Sequence, residues 1–455
     1  MRELHYDAVV IGFGKGGKTL AGKLAESGRT VALAEMDAGM YGGTCINVGC
    51  IPSKSLIASA SRVDPAASGA EKGAAFRAAV AEKRRLTAML RQKNFDKLDQ
   101  LANVDIYTGK ARFAGPLRVE AALEGETVLL NAKQVFLNTG STPRLPPIKG
   151  LGDTPGVYTS RELMDLDERP GRLVVLGGGY IGLEFASMFA AFGTAVTVLQ
   201  DSGVFLPKED EDVAAEIKKL LEAQGVDIRL NTGTRRVEPG PSGPVLTVER
   251  EGREERLEAD AVLVATGRTP NTAGLNCPAA GVELTPRGAV KVDALLRTTA
   301  PNVWAMGDVA GGLQHTYVSL DDSRIVWAQL SGGGTRTAAE RKNVPYSVFL
   351  RTPYSRVGMN EREARAAGRN VRVVRMPAAA VPKAQVLKAS AGFLKAVLDA
   401  DSGEILGAML LCEESYETIN VVKLAMDLGA DYTVLRDQIF THPTMTEALN
   451  DLFAG

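Results

Sequence analysis

Histidine is the scarcest chemistry-bearing residue in this chain. Three occur in 455 residues, at positions 5, 315 and 442. Cysteine is nearly as rare, with four, and aromatic residues make up only 5%. Four cysteines in so long a chain exclude a secreted disulfide framework. So few histidines, with only one close cysteine pair, leave a metal centre short of ligands, and none is expected. An excess of charge of either sign is missing too: 53 basic against 54 acidic residues give a net charge of −1. No net positive field therefore draws the protein to nucleic acid or anionic lipid. The opening MRELHYDAVVIG runs directly into apolar residues without a signal-peptide layout, so a cytoplasmic location is expected. One long hydrophobic run is present, Leu173 to Leu199, with Glu184 its single charge. Its length would permit a membrane span. A triple glycine near its start and a second copy of the stretch predict a buried strand–turn–helix–strand instead, and no membrane partner.

That second copy lies at the N-terminus. Asp7 to Glu35 reads DAVVIGFGKGGKTLAGKLAESGRTVALAE, and Arg172 to Gln200 reads RLVVLGGGYIGLEFASMFAAFGTAVTVLQ. Each has an apolar strand, a G-x-G-x-x-G turn, a predicted helix of about four turns, a glycine and a second strand. The glycines are Gly12, Gly14 and Gly17, then Gly177, Gly179 and Gly182. The first allows a tight turn, the second lets a pyrophosphate approach the backbone, and the third lets the helix pack on the strand. The free N–H groups and positive dipole end of the helix then face the phosphates. A lone turn of this kind occurs in many α/β proteins. Two copies with correctly spaced strand-ending residues predict two dinucleotide sites. Glu35 suits an unphosphorylated adenosine ribose, as in FAD. Gln200, followed by Asp201 with no basic residue before Lys208, favours NADH over NADPH, although Arg235 could fold in toward it. Two such sites imply electron transfer from NAD(P)H to a flavin.

Two of the cysteines are five positions apart in GGTCINVGCIPSK, Gly42 to Lys54. IPSKSLIASASR reads as a helix with Pro52 in its first turn. Cys50 then sits at a helix N-terminus, where the dipole favours thiolate, with Lys54 one turn on. Gly42, Gly43 and Gly49 leave the backbone free to lie against a flat ring. The residues alone leave three readings open: a structural or metal-binding pair, two inert cysteines, or a redox disulfide beside a flavin.

GGTCINVGCIPSK, ATGRTPN (Ala265 to Asn271), WAMGDVAGG (Trp304 to Gly312) and FTHPTMTEALNDLF (Phe440 to Phe453) together resemble the pyridine nucleotide-disulfide oxidoreductases. That flavoprotein family includes dihydrolipoamide dehydrogenase, glutathione reductase and mercuric reductase, and the resemblance covers essentially the whole chain. GFGKGGKTLA, VLQDSGVFLPKEDED, TYVSLDDSRIV and RKNVPYSVF look most like its reactive-chlorine-resistance branch. SLDDSR (Ser319 to Arg324) departs from the alanine- and glutamate-containing helix of lipoamide enzymes, and the ending DLFAG lacks the terminal cysteine pair of mercuric reductases.

The resemblance implies roles. Cys50 would lie against the flavin, and Cys45 would be the interchange thiol. His442 and Glu447 would be a general acid/base pair reaching across a homodimer interface, so that the other subunit completes the site. Lys54 and Glu184 would pair near the flavin. Gly43, Thr44, Lys54, Thr139, Gly140 and Asp308 would join Gly12, Gly14, Gly17 and Glu35 in holding FAD, with Asp308 on the ribityl chain; its bland alternative is an N-cap. Tyr180, Ile181 and Gly267 would join Gly177, Gly179, Gly182 and Gln200 in holding NAD(P). Glu184 is the hardest to read as bland, because a lone charge in an apolar run needs a partner. The charged stretch Glu71 to Ala102 reads as a solvated helix face. His315, Cys277 and Cys412 carry no assigned role.

The expected fold class is α/β: two doubly wound parallel-sheet dinucleotide-binding domains plus a C-terminal α+β dimerisation domain. The expected division is 1–150 FAD-binding, 151–270 NAD(P)-binding, 271–337 FAD-binding again and 338–455 dimerisation. The implied activity carries electrons from NAD(P)H through FAD and Cys45–Cys50 to a small-molecule oxidant. In the reactive-chlorine branch that oxidant would be hypothiocyanous acid or a related product, with Cu(II) another substrate. The rivals are a dihydrolipoamide dehydrogenase, a mercuric reductase-like metal reductase and a flavin redox sensor without turnover. A sensor needs no acid/base pair.

Overall fold

The computed structural model of the protein describes residues 1–334 and 336–455. The first dinucleotide unit begins with the strand Arg2–Ile11, the helix Lys15–Glu26 and the strand Val31–Glu35. The strands pair in parallel, Ala8 opposite Val31 and Ile11 opposite Ala34. Val104–Thr108 extends the sheet on one side and Thr127–Leu137 on the other. The latter strand is shared along its length. An antiparallel hairpin, Lys110–Gly115 and Arg118–Ala122, pairs with its first half, and Val303–Ala305 pairs in parallel with its end at Val135 to Leu137. The chain therefore returns to the first sheet after the second unit.

The second unit is built alike. Arg172–Leu176, Ala195–Leu199 and Val226–Arg229 form parallel pairs, with Ala261–Val264 and Val157–Tyr158 on the other side. Arg172–Leu176 is buried along all but its first residue, as a sheet covered on both faces requires. An antiparallel meander, Thr232–Gly240, Gly243–Arg250 and Arg253–Glu258, lies beside it. The helices Lys15–Glu26 and Tyr180–Ala191 have 12 residues each, just over three turns rather than the four expected. In both copies the next residue already has φ and ψ outside the helical region, and a glycine follows with φ above +80°. The proline-rich connector contributes Ser141–Pro143, which pairs antiparallel with Arg268–Pro270 and ties the two crossings together.

The C-terminal sheet is antiparallel, in the order Tyr346–Val348, Tyr354–Gly358, Ile405–Leu411, Phe393–Asp399, Val371–Pro377. Its strands alternate between two cores. Phe393, Val397, Met409 and Leu411 pack with Phe185, Phe189 and Phe192 of the second unit and with Phe76 of the long helix Gly69–Asp99. Leu394, Ala396, Leu398, Ala408 and Leu410 pack with Ile419, Val422, Leu449 and Phe453 of the C-terminal helices. This period of two is that of a sheet covered on both faces. The face turned toward the second unit positions the site.

Candidate active site

The two glycine-rich turns repeat one another in atomic detail. Gly12 and Gly177 have φ of +100° and +108°, and a Cβ on either would sit 2.4 Å from the Asn138 carbonyl oxygen or 2.6 Å from that of Ala265. A Cβ on Gly17 would sit 2.5 Å from the Gly12 oxygen, and one on Gly182 2.1 Å from the Gly177 oxygen. The strand-ending residues repeat too. Glu35 accepts a hydrogen bond from the Phe13 amide at 2.9 Å, and Gln200 from the Gly178 amide at 2.9 Å. No side chain caps either helix, so both N-termini remain available to an anion. The middle glycines differ. A Cβ on Gly14 would meet Asn138 Oδ1 at 2.3 Å, whereas one on Gly179 would meet nothing within 4 Å. Gly179 is thus not required by packing. The variant Gly179→Ala is expected to fold and keep its flavin while NAD(P)H binding weakens about tenfold or more. Calorimetric titration with NAD⁺ checks this, with the unfolding midpoint as control.

The first site fits an FAD. Glu35 is largely buried, and burial pushes its carboxyl up in pKa. Gly43 has φ of +80°, and its missing Cβ would stand 2.7 Å from Gly14 Cα, so the cysteine loop lies directly on the glycine turn. Asn47, between the cysteines, has a buried side-chain oxygen without a hydrogen-bond partner, an acceptor matched to a donor on a bound ring. Thr139 Oγ1 donates to the Asn271 carbonyl at 2.8 Å, which pins the strand exit carrying Gly140. Gly140 turns with φ of +71° close to Thr44, and Gly267 turns with φ of +110°. Asp308 lies in the single turn Gly307–Ala310, eight residues before the next long helix, and accepts from Ser141 Oγ at 2.5 Å. It is not an N-cap. Arg235, considered as a reach toward Gln200, instead pairs with Glu249 on the meander.

Thr44–Asn47 is a single helical turn, after which Gly49 caps the helix Cys50–Ala60. Cys50 is the first residue of that helix. Both cysteines are free thiols, and each shifts the titration of the other. The Cys45 thiol draws the Cys50 thiol down to about 6, with further help from Thr316 and the Lys54 charge; Cys50 in turn pushes Cys45 well up. The reduced pair therefore holds a Cys50 thiolate and a protonated Cys45. Lys54 Nζ donates to Glu184 Oε2 at 2.7 Å, and Glu184 is only 8% exposed. Its other oxygen accepts the Phe349 amide at 2.9 Å, and Lys54 Nζ stands 4.7 Å over the Phe349 ring.

Two participants were not picked out in the sequence. Thr316 Oγ1 lies 3.6 Å from Cys50 Sγ, at the start of the helix Thr316–Leu330. A second helix N-terminus therefore converges on the same sulfur. Lys18 donates to the Gly42 carbonyl at 3.4 Å and is lowered to about 8, chiefly by burial, with the neighbouring Lys15 charge adding to it. Thr316 has no local signal, since 266 residues separate it from Cys50. His315 caps the Thr316 helix with its ring stacked on Tyr317 at 5.0 Å, and burial lowers its pKa. Cys277 and Cys412 are buried, with their thiols pushed up.

His442 and Glu447 are paired, Nδ1 to Oε2 at 2.9 Å, and the imidazole pulls the carboxyl below its usual range. The histidine side chain is 71% exposed, and among the described residues its one hydrogen bond is to Glu447. It does not reach the cysteines of its own chain. Tyr180 opens the helix behind the second turn with its ring stacked on Tyr346, and Ile181 beside it is exposed. No group of three or more potential metal ligands occurs among the described residues.

The chain is similar to known proteins along nearly its whole length. Residues 6–323 match the family model for pyridine nucleotide-disulphide oxidoreductases, and residues 344–453 match that family's dimerisation domain. The chain is 48% identical over 449 residues, 99% of both chains, to the "Probable pyridine nucleotide-disulfide oxidoreductase RclA" of Escherichia coli K12. It is 35% identical to a dihydrolipoyl dehydrogenase of Haloferax volcanii, over 97% of this chain and 94% of that one. A mercuric reductase of Lysinibacillus sphaericus is 32% identical, over 99% of this chain and 82% of the other. Among solved structures, a Cu(II) complex of the HOCl-induced flavoprotein disulfide reductase RclA from Escherichia coli superposes with a TM-score of 0.94 at 48% identity, covering 99% of each chain.

Proposed function

The chain belongs to the pyridine nucleotide-disulphide oxidoreductases, as an NAD(P)H-dependent flavoprotein disulfide reductase, and on that premise we propose that it reduces hypothiocyanous acid or a related reactive chlorine product through Cys45 and Cys50. One observation carries the reading: the 48% identity, spread over 99% of the chain, to a reductase described as HOCl-induced. The helix after Thr316, where the sequence departs from lipoamide enzymes, supports it. Ser319 Oγ accepts the Gly16 amide at 3.1 Å, and Asp322 accepts the Gly307 amide at 2.7 Å, so these residues brace the flavin turn.

Residues 1–150 and 271–337 hold FAD in this reading, 151–270 hold NAD(P)H, and 338–455 pair two copies. Flavin supplies the relay of an electron pair from NAD(P)H to the disulfide. The residues manage protons. Cys45, once deprotonated, attacks the sulfur of hypothiocyanous acid; a sulfur–sulfur bond forms, and hydroxide leaves as water with a proton from His442. The Cys50 thiolate then attacks the Cys45 sulfur, the disulfide re-forms and thiocyanate leaves. The net change is NADH plus hypothiocyanous acid to NAD⁺, thiocyanate and water. Cu(II) would take electrons at the same sulfurs, two ions becoming Cu(I) per disulfide formed. NADH is the favoured donor, because Gln200 offers no positive charge to a 2′-phosphate.

The homodimer rests on the match to a dimerisation domain and on Leu424, Leu428, Val434 and Ile439, which are 60, 75, 51 and 92% exposed on the C-terminal segment. His442 enters the partner's cysteine site in that arrangement. Anaerobic NADH consumption tests the substrate, with hypothiocyanous acid, Cu(II) and lipoamide offered separately. Fast turnover with hypothiocyanous acid is expected. Turnover with lipoamide alone would overturn the reading.

A further inference from the structure

Glu209 is buried without a role in the chemistry above. Its side chain is 0% exposed. A carboxylate in that position needs donors. It accepts hydrogen bonds from the hydroxyls of Tyr180, Tyr346 and Tyr354, and Arg356 Nη1 approaches it at 3.4 Å. Burial raises the Tyr180 and Tyr346 phenols, so both stay neutral donors. The donors come from different parts of the molecule. Tyr180 opens the helix behind the second glycine turn, while Tyr346, Tyr354 and Arg356 lie on the C-terminal sheet. The segment carrying Glu209 is itself held: Lys395 pairs with Asp210 and Asp212, each at 3.0 Å, and Asn360 donates to the Lys208 carbonyl at 3.0 Å.

What this clamp holds is the Tyr180 ring. The ring stacks on Tyr346 at 5.4 Å, and the two hydroxyls are 3.2 Å apart. Tyr180 precedes Glu184 by four residues, so the two share a helix face about 6 Å apart along the axis. Glu184 pairs with Lys54, one turn beyond Cys50, and accepts the Phe349 amide, three residues beyond Tyr346. The helix Tyr180–Ala191 is thus docked three times onto one segment, at Tyr346, at Phe349 and, through Ser187, at the Arg351 amide. Tyr180, at the start of this helix, and the Lys54–Glu184 pair would line the way of a nicotinamide held at the second turn toward a flavin beside Cys50.

We infer that Glu209 and Tyr346 are positioning residues for hydride delivery: they fix Tyr180 between the NAD(P)-binding turn and the Lys54–Glu184 pair. The inference rests on the NAD(P)H reading of the second turn, not on the identity of the oxidant. In Glu209→Gln the shape is kept, but one oxygen is replaced by a donor that cannot accept the tyrosine hydroxyls. Tyr346→Phe removes one hydroxyl and keeps the stack. Three measurements on the holoprotein separate positioning from bracing. NAD⁺ affinity is measured by calorimetry, flavin bleaching by NADH is followed without any oxidant, and the reduced dithiol is re-oxidised with a small aromatic disulfide. In Glu209→Gln, bleaching is expected to slow about tenfold or more and NAD⁺ binding to weaken about threefold or more, with dithiol re-oxidation within about twofold of native. Tyr346→Phe should move in the same direction by less, and it decides alone if Glu209→Gln does not retain flavin. Unchanged NADH bleaching and NAD⁺ affinity would overturn the inference. So would equal losses in both half-reactions tracking a lowered unfolding midpoint. An error in the proposed oxidant leaves the bleaching measurement intact.

Discussion

Cys45→Ser is expected to lower turnover with hypothiocyanous acid by about a thousandfold or more, while NADH still bleaches the bound flavin. The asymmetry of the cysteine pair is the reason. Cys50 begins a helix, has the Cys45 thiol and the Thr316 hydroxyl beside it and feels the Lys54 charge, so its thiolate is the stabilised one. A well-stabilised thiolate is a weaker nucleophile and a better leaving group. Cys45 holds its proton more tightly and is the stronger attacker once that proton is removed. Serine at 45 leaves no sulfur to meet the oxidant, and its hydroxyl cannot re-form the disulfide. The proton transfer also sets the acid limit. The Cys50 thiolate is retained above about 6 and lost as pH falls through that value. Re-closure of the disulfide should weaken in that window, because Cys50 must be charged to attack. Single-turnover consumption of the oxidant by chemically reduced protein, followed across pH, checks both points. Native-like consumption by Cys45→Ser would remove Cys45 from the reaction.

The features legible in the sequence were those set by local spacing. Gly12, Gly17, Gly177 and Gly182 announce their turns because each missing Cβ faces a backbone atom within the same short unit or at the next strand exit. Glu184 announces a partner because one charge among apolar residues cannot be left unpaired, and Lys54 stands 2.7 Å away. What stayed illegible depends on chain crossings. Thr316 reaches Cys50 only because the chain returns to the first sheet at Val303–Ala305. Glu209 reads as one more acidic residue in LPKEDED until the C-terminal sheet brings Tyr346 and Tyr354 against it. The two helices fall short of the expected four turns because backbone geometry leaves the helical region at the residue before each glycine. Such contacts have no period to detect.

Mixing two inactive variants should restore activity, and this is the sharpest consequence of the His442 geometry. Within one chain His442 is oriented by Glu447, mostly exposed, and without a bond to either cysteine. Cys45 nevertheless needs a base, because its proton is the tightly held one of the pair. If the partner subunit supplies that base, each active site combines Cys45 of one copy with His442 of the other. His442→Ala alone should then lose about a hundredfold or more in turnover, and Cys45→Ser alone more still. In a mixed dimer one site carries both defects, and the other carries neither. Random re-association makes half of all dimers mixed, and half of their sites intact, so turnover should recover to about a quarter of native. Unfolding and refolding the two variants together, with each refolded alone as the reference, provides the measurement. Recovery near a quarter places the base in trans. Turnover no greater than the average of the two separate variants would mean that base and thiol act within one chain, which requires the segment carrying His442 to fold back over its own Cys45.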